Sequence, residues 1–152
     1  MDNKKISILG AGKSGKACTR LALKMGYKVI LSDISKNIKF KEKHNNLTLE
    51  LGKHSEKILD SNLIIISPGI SSNISIVKEA VKREIPIISE IEFASWFTKS
   101  KIIGVTGSNG KSTTVKLISE MLNLDSLDCY LCGNIGIPLM HITLWQTFLI
   151  QG

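Results

Sequence analysis

The strongest chemical signal in the sequence is a glycine-rich segment, residues 104–114, which reads G-V-T-G-S-N-G-K-S-T-T. It overlaps a predicted strand, residues 101–106, and opens a predicted helix, which is the setting of a phosphate-binding loop. In such a loop, backbone N–H groups hold the phosphates of ATP, Lys111 reaches the terminal phosphate oxygens, and Ser112 offers its hydroxyl to Mg²⁺. The strict Walker pattern has glycine six residues before the lysine, where this sequence has Val105. This difference favours a family with a shortened loop over the general P-loop NTPases.

A second glycine-rich segment, residues 10–15, reads G-A-G-K-S-G and lies between a predicted strand and a predicted helix. Its glycines allow a tight turn and a close approach to a phosphate, and the N-terminus of the helix offers free N–H groups. Asp33 follows 18 residues after Gly15, at the end of the next predicted strand, where it could hold a ribose or a base. The segment predicts a nucleotide-type ligand without specifying which. The alternative is a glycine turn that only lets the helix pack on the strand.

Short strands and helices alternate along the chain and must position these two loops. The predicted strands are short, rich in Ile, Val and Leu, and bounded by turn residues: 5–9, 28–32, 63–67, 85–89 and 101–106. Ala17, Leu21 and Met25 recur at helical spacing and predict a helix that ends at Gly26. Nearly continuous apolar strands are typical of a parallel sheet covered on both faces. The expected fold class is therefore α/β.

Composition narrows the classes of function. A chain of 152 residues with 43% hydrophobic and 22% charged residues can bury a core and is not of the disordered class. The net charge of +7 favours an anionic partner, but the lysine-rich residues 35–46 lack interleaved aromatic residues, so we predict a solvated loop and no nucleic-acid partner. Polar residues and glycines interrupt the uncharged stretch after Asp128, which predicts a buried segment and no membrane insertion. Three cysteines and no signal-peptide core predict a cytoplasmic protein with free thiols.

Five segments together resemble the Mur ligases and, within that family, the members that add D-glutamate. They are residues 10–15 (G-A-G-K-S-G), 67–70 (S-P-G-I), 90–92 (E-I-E), 104–114 and 133–138 (G-N-I-G-I-P). The resemblance runs from Lys5 to Pro138. It implies a Rossmann-like domain that binds the UDP part of the substrate over residues 1–98. An incomplete central ATP-binding domain, the truncated start of a P-loop ATPase fold, is expected over residues 99–152.

The resemblance also implies two sets of site residues. For the UDP substrate, it implies Gly12, Lys13 and Ser14 near the diphosphate, Asp33 and Ile34 near the uracil, and Ser67 and Asn134 against the muramoyl-peptide part. For ATP, it implies Gly107, Ser108, Asn109, Gly110, Lys111, Ser112 and Thr113. Within the second set, Lys111 is the expected catalytic residue and Ser112 the expected ligand of Mg²⁺.

The implied reaction is the ATP-dependent ligation of D-glutamate to UDP-N-acetylmuramoyl-L-alanine through an acyl phosphate. It would serve peptidoglycan synthesis, and hence cell shape and cell division, in the cytoplasm. The family pattern continues beyond Asn134 to a metal-binding glutamate and a domain for the amino acid, whereas this chain has no carboxylate side chain after Asp128. We therefore expect the 152-residue chain to be an inactive fragment of such a ligase.

Other functions are left open at this point. The chain could be a non-catalytic module that binds a UDP-sugar, or an NAD-dependent oxidoreductase built on residues 10–15 and Asp33. A folylpolyglutamate synthase is a weaker alternative, because the N-terminal Rossmann-like domain would then be unexpected.

Overall fold

A computed structural model of the chain describes residues 4–125, 129–132 and 139–140. The chain divides into two compact units, with the boundary between Trp96 and Phe97. The part before this boundary is called the first unit, and the part after it the second unit. Among the described residues, the five-stranded sheet belongs to the first unit.

The sheet of the first unit is parallel throughout. Its strands are β1 (Lys5–Leu9), β2 (Lys28–Asp33), β3 (Leu47–Leu51), β4 (Leu63–Ile66) and β5 (Ile87–Ser89). They lie in the order β3-β2-β1-β4-β5, so β1 is central, with β2 on one side and β4 on the other. The winding of the chain reverses at β1, and ligands of open α/β sheets bind outside the carboxyl ends of the strands at such a point. The expected α/β class is confirmed, although β3 was not predicted.

Three helices and one 3-10 helix cover this sheet. They are α1 (Lys13–Lys24), the 3-10 helix (Glu56–Asp60), α2 (Ser75–Lys82) and α3 (Glu90–Ser95). Helix α1 packs on β2 and against α3, whereas α2 packs against the 3-10 helix. Leu9 and Ile64 of the sheet share one core cluster with residues of α2 and the 3-10 helix. The strands are continuously apolar because helices cover them, as the sequence pattern predicts.

The described part of the second unit contains one long helix, α4 (Lys111–Leu124). The prediction of a strand over residues 101–106 was wrong, since none of these residues is in a strand. Their apolar side chains are exposed, 52% for Ile102 and 60% for Ile103, because the described residues provide no neighbouring strand to pair with them. The predicted loop over residues 35–46 is confirmed, as it contains neither helix nor strand.

Two further predictions concern the cysteines and the uncharged stretch after Asp128. The three cysteines are free, with Cys18 buried but Cys129 and Cys132 only half-buried. Most of the uncharged stretch after Asp128 lies outside the described residues. Across the described ranges, no helix combines the length and the apolar character needed to span a membrane.

Candidate functional site

The loop between β1 and α1 is built so that its backbone can approach a ligand. Gly10 has a φ of 96°, in the left-handed region that favours glycine, and its N–H donates to the Ser32 carbonyl at 2.8 Å. A Cβ atom on Gly15 would lie 1.8 Å from the Gly10 carbonyl oxygen, so only glycine fits there. Gly12 precedes α1, and a Cβ atom on it would meet nothing within 4 Å. The loop is therefore tightly packed at Gly15, whereas the space next to Gly12 is free for a ligand.

The N-terminus of α1 is available to an anion. Its first turn contains no acidic residue, and no side chain caps it. Unpaired N–H groups and the positive end of the helix dipole attract a phosphate at such a position. Lys13 is exposed and Ser14 is half-buried in the same turn. The turn thus combines backbone donors with a cation and a hydroxyl, which suits a diphosphate.

Asp33 fixes the loop from the end of β2. One carboxylate oxygen accepts the Ala11 N–H at 2.7 Å, and the other accepts the Ser35 N–H at 2.8 Å. The carboxylate is thus engaged by backbone on both sides of the β2 end. Ile34, the next residue, is 69% exposed and offers an apolar surface beside it. The structure brings Asp33 and Ile34 to the same edge of the sheet as the glycine loop.

Ser67 joins the site from the end of β4. Its backbone N–H donates to the Leu9 carbonyl at 3.0 Å, and its hydroxyl donates to the Gly10 carbonyl at 3.3 Å. Ser67 is buried, so it supports the glycine loop from below. Its predicted contact with the substrate remains a prediction. Asn134, expected beside it, lies outside the described residues.

Glu90 is a buried carboxyl group in the E-I-E segment, residues 90–92, to which the sequence assigns no role. It is 5% exposed, and its Oε2 atom has no hydrogen-bond partner among the described residues. Burial raises the pKa of Glu90, while hydrogen bonding with Ser14 and Ser67 opposes that rise. Glu90 therefore links the start of α3 to the glycine loop and to the end of β4. Burial, together with the charge of Glu90, also raises the pKa of the nearby Cys18 thiol, which keeps it protonated.

The predicted ATP loop lies in the second unit and is described by itself. Gly107 and Gly110 have φ values of 147° and 76°, which favour glycine. Lys111 begins α4, and its ammonium donates to the carbonyl oxygens of Gly107 and Ser108. Ser112 and Thr113 are exposed in the first turn of α4, which has no side-chain cap. The loop presents a lysine, hydroxyls and uncapped N–H groups together, and their contact with ATP remains a prediction.

A resident metal site is not evident from the side chains alone. Within the described ranges, no group of three or more His, Cys, Asp and Glu residues could hold a metal ion. The Ser112 hydroxyl, a neutral ligand, is the predicted contribution of this chain to Mg²⁺ binding.

Comparison with known proteins points to one family. Residues 4–89 match the family described as Mur ligase MurD-like, N-terminal domain. The chain is 44% identical over 137 residues to a UDP-N-acetylmuramoylalanine--D-glutamate ligase of Christiangramia forsetii, and 42% identical over 147 residues to the one of Elusimicrobium minutum. These alignments cover 88% and 91% of this chain but only 31% and 32% of the relatives. The chain therefore spans about a third of the length of these curated relatives.

A solved structure supports the same fold. A pseudomurein peptide ligase type C from Methanothermus fervidus superposes with a TM-score of 0.55 and 28% sequence identity. The match covers 80% of this chain and 26% of that one.

Proposed function

The chain belongs to the Mur ligase family, with a MurD-like N-terminal domain in its first part, and we propose that its first unit binds the UDP portion of a UDP-sugar. The observation that carries this proposal is the loop of residues 10–15, which is closed at Gly15, open at Gly12, and followed by the uncapped N-terminus of α1. A diphosphate can accept the free N–H groups there without meeting a side chain. Asp33 supports the loop, and Ile34 offers an apolar surface on the side where a base would lie.

We further propose that the whole protein ligates D-glutamate to UDP-N-acetylmuramoyl-L-alanine in cytoplasmic peptidoglycan synthesis. The names of the relatives that match at 42–44% identity support this assignment. We assign residues 1–98 to UDP binding and 99–152 to part of an ATP-binding domain, and the match of residues 4–89 to an N-terminal domain family supports the first of these bounds. The unit boundary at Trp96 and Phe97 agrees with this division.

The residues of the second loop fit the triphosphate of ATP. Glycines at 107 and 110 let the backbone bend closely around phosphates, and the first turn of α4 has no acidic residue to repel them. We propose that residues 107–113 bind ATP, with Lys111 contacting phosphate oxygens and the Ser112 hydroxyl contacting Mg²⁺. ATP supplies the phosphoryl group that makes a carboxylate reactive toward an amine. The ammonium of Lys111 offsets the negative charge that develops during that transfer.

The UDP proposal is tested by titrating the ¹⁵N-labelled 152-residue chain with UDP and, separately, with NAD, followed by NMR. We expect UDP to shift the amide signals of residues 10–15 and of the first turn of α1. Shifts in these signals with NAD but not with UDP would overturn the proposal in favour of a dinucleotide-binding function.

A pair of variants sharpens the test. Gly12→Val places a side chain where the diphosphate would lie, and Gly104→Val adds the same side chain in the second unit. Both positions have room for a Cβ atom, since nothing lies within 4 Å of either. We expect Gly12→Val to abolish UDP binding and Gly104→Val to leave it unchanged. Equal UDP affinity of the two variants would contradict the assignment of the diphosphate to this loop.

A further inference from the structure

The register of the sheet places a buried acid beside the glycine loop. The last residues of β1, β4 and β5 pair with one another across the sheet, and the residues that directly follow them are Gly10, Ser67 and Glu90. Ser67 lies between the other two, because β4 lies between β1 and β5. Its Oγ atom is 3.3 Å from the Gly10 carbonyl oxygen, and a Cβ atom on Gly15 would lie 3.1 Å from it. A row of groups thus connects Glu90 to both ends of the loop.

The Glu90 carboxyl group is buried without a countercharge. Its Oε2 atom has no hydrogen-bond partner in the part of the chain that the structure describes. Over the same ranges, no cation forms an ion pair with it. Burial without a cation favours the neutral form of a carboxyl group, and it raises the pKa of Glu90.

The elements around Glu90 show which groups can change charge there. Helix α3 packs against α1, β4 and β5. Strands β4 and β5 consist of Leu, Ile and Ser, so neither carries a titratable side chain. The second acid of α3 is Glu92, which is exposed. On α1, the buried Cys18 thiol lies near Glu90 and stays protonated, and the cations of this helix are Lys13, Lys16, Arg20 and Lys24. Glu90 is therefore the group of this cluster whose charge changes between acidic and neutral pH.

Two serines couple the charge of Glu90 to the loop. Hydrogen bonding joins Glu90 to Ser14, in the first turn of α1, and to Ser67. A serine hydroxyl has one proton, whereas a carboxylate and a carbonyl oxygen can only accept. Ionised Glu90 therefore competes with the Gly10 carbonyl for the Ser67 proton, and it draws the Ser14 proton away from a ligand at the start of α1. Protonated Glu90 brings a proton of its own and leaves both hydroxyls to the loop.

A bound diphosphate would strengthen the preference for protonated Glu90. The diphosphate is proposed to lie at the uncapped first turn of α1, which contains Ser14. Its negative charges would then be separated from the Glu90 carboxyl group by the Ser14 side chain, and a nearby like charge disfavours ionisation. An anion in this place thus raises the proton affinity of Glu90. By linkage, a proton on Glu90 raises the affinity for the anion by the same factor.

We propose that the glycine loop takes up a diphosphate together with a proton on Glu90, so that the first unit binds a UDP-sugar most tightly while this buried carboxyl group is neutral. The inference rests on the proposal that the first unit binds the UDP portion of a UDP-sugar. The affinity should be highest at acidic pH and fall as the pH rises through the titration of Glu90 in the free protein. Glu90→Gln is neutral at every pH, so it should bind as well as the wild type at low pH and more tightly at high pH.

Calorimetric titration of the 152-residue chain with UDP-N-acetylglucosamine at pH 5.5 and pH 8 tests this linkage. Each phosphate of this probe keeps one negative charge across the range, because both are diesters. We expect the affinity of the wild type, relative to that of Glu90→Gln, to be at least about threefold lower at pH 8 than at pH 5.5. The matched control Glu92→Gln should follow the wild type at both pH values, since Glu92 is exposed on the same helix. An affinity ratio that does not change with pH would overturn the inference.

Proton uptake gives a second measurement, which needs no variant. The heat of binding to the wild type, compared between buffers of different ionisation enthalpy, reports how many protons the complex takes up. We expect net uptake at one or more pH values between 5.5 and 8. Binding of UDP-N-acetylglucosamine without any uptake over this range would overturn the inference and leave the proposed function standing. Absence of binding at every pH would overturn both.

Discussion

The carboxylate of Asp33 holds the backbone of Ala11, 22 residues earlier in the chain, with an N–H···O distance of 2.7 Å between nitrogen and oxygen. Ala11 is fully buried, so its N–H group depends on this carboxylate for a hydrogen-bond partner. The acidic residue at the end of β2 therefore has a structural role, because it fixes the loop to which a diphosphate would bind.

Asp33→Ala should consequently destabilise the first unit as well as weaken UDP binding. Leaving a buried N–H group unpaired costs about 1–3 kcal/mol of unfolding free energy. Asp33→Asn retains an acceptor oxygen and should lose less. The control is Asp60→Ala, because Asp60 is an exposed residue whose ion pair with Lys5 spans 3.9 Å, and such pairs contribute about 0–1 kcal/mol. Urea unfolding followed by circular dichroism measures the unfolding free energy of all three variants. Equal losses of stability in Asp33→Ala and Asp60→Ala would contradict the structural role of Asp33.

Gly15 and Gly12 should respond in opposite ways to the same added methyl group. A Cβ atom on Gly15 would lie 1.8 Å from the Gly10 carbonyl oxygen, so Gly15→Ala must displace backbone and should cost about 3 kcal/mol or more. A Cβ atom on Gly12 meets no atom within 4 Å, and Gly12→Ala should cost less than about 1 kcal/mol. Thermal unfolding of the two variants checks the difference. A Gly15→Ala variant as stable as Gly12→Ala would mean that α1 and β1 are not joined as described.

The apolar runs in the sequence predicted most strands of the sheet but not the edge strand β3. Strands β1, β2 and β4 are short continuous apolar runs bounded by turn residues, and the prediction found each to within one residue. Strand β3 is a half-exposed edge strand in which Leu, Thr, Leu, Glu and Leu alternate, so it lacks a continuous apolar run. The alternation itself was the available signal. For residues 101–106 the error was the opposite one, since an apolar run predicted a strand where the structure has none. Such a run forms a strand only when another strand pairs with it.

The candidate site shows the same division between local and tertiary information. The glycine loop and Asp33 follow from spacing within one strand–helix–strand unit, which is local in the chain. Glu90 contributes through hydrogen bonding with Ser14 and Ser67, which lie far away in sequence and come close only in the folded sheet. Single-sequence reasoning cannot derive such contacts, because the order of parallel strands decides which strand ends meet.

Glu90→Gln should change how stability depends on pH. Burial raises the pKa of Glu90 in the folded protein above the ordinary value of 4.5, so the folded state holds its proton more tightly than the unfolded state. The resulting stability is present below pH 4.5 and is lost as the pH rises through the folded pKa. Glutamine stays neutral at every pH. The unfolding free energy of the variant, relative to that of the wild type, should therefore be higher at pH 8 than at pH 4. Unfolding free energies at these two pH values give the measurement.

Glu92→Gln is the matched control for that experiment, since Glu92 is exposed on the same short helix. We expect the difference between this variant and the wild type to be nearly the same at both pH values. If Glu90→Gln behaves identically to Glu92→Gln, the buried carboxyl group does not titrate in the manner expected from its surroundings.

Lys111→Ala should weaken ATP binding to the second unit by at least about tenfold. Its ammonium lies against the Gly107 and Ser108 carbonyls at the start of α4, where the phosphates would arrive, and a charge-assisted hydrogen bond contributes about 1.5–3 kcal/mol. Lys116→Ala removes an equal charge from an exposed position of α4 beyond the loop and should leave the affinity unchanged.

Ser112→Ala should reduce ATP affinity only when Mg²⁺ is present, because its hydroxyl is assigned to the metal rather than to the phosphates. Titration of a fluorescent ATP analogue with and without Mg²⁺ separates these effects. A uniform loss across Lys111→Ala and Lys116→Ala would indicate that net charge, and not the loop geometry, attracts the nucleotide.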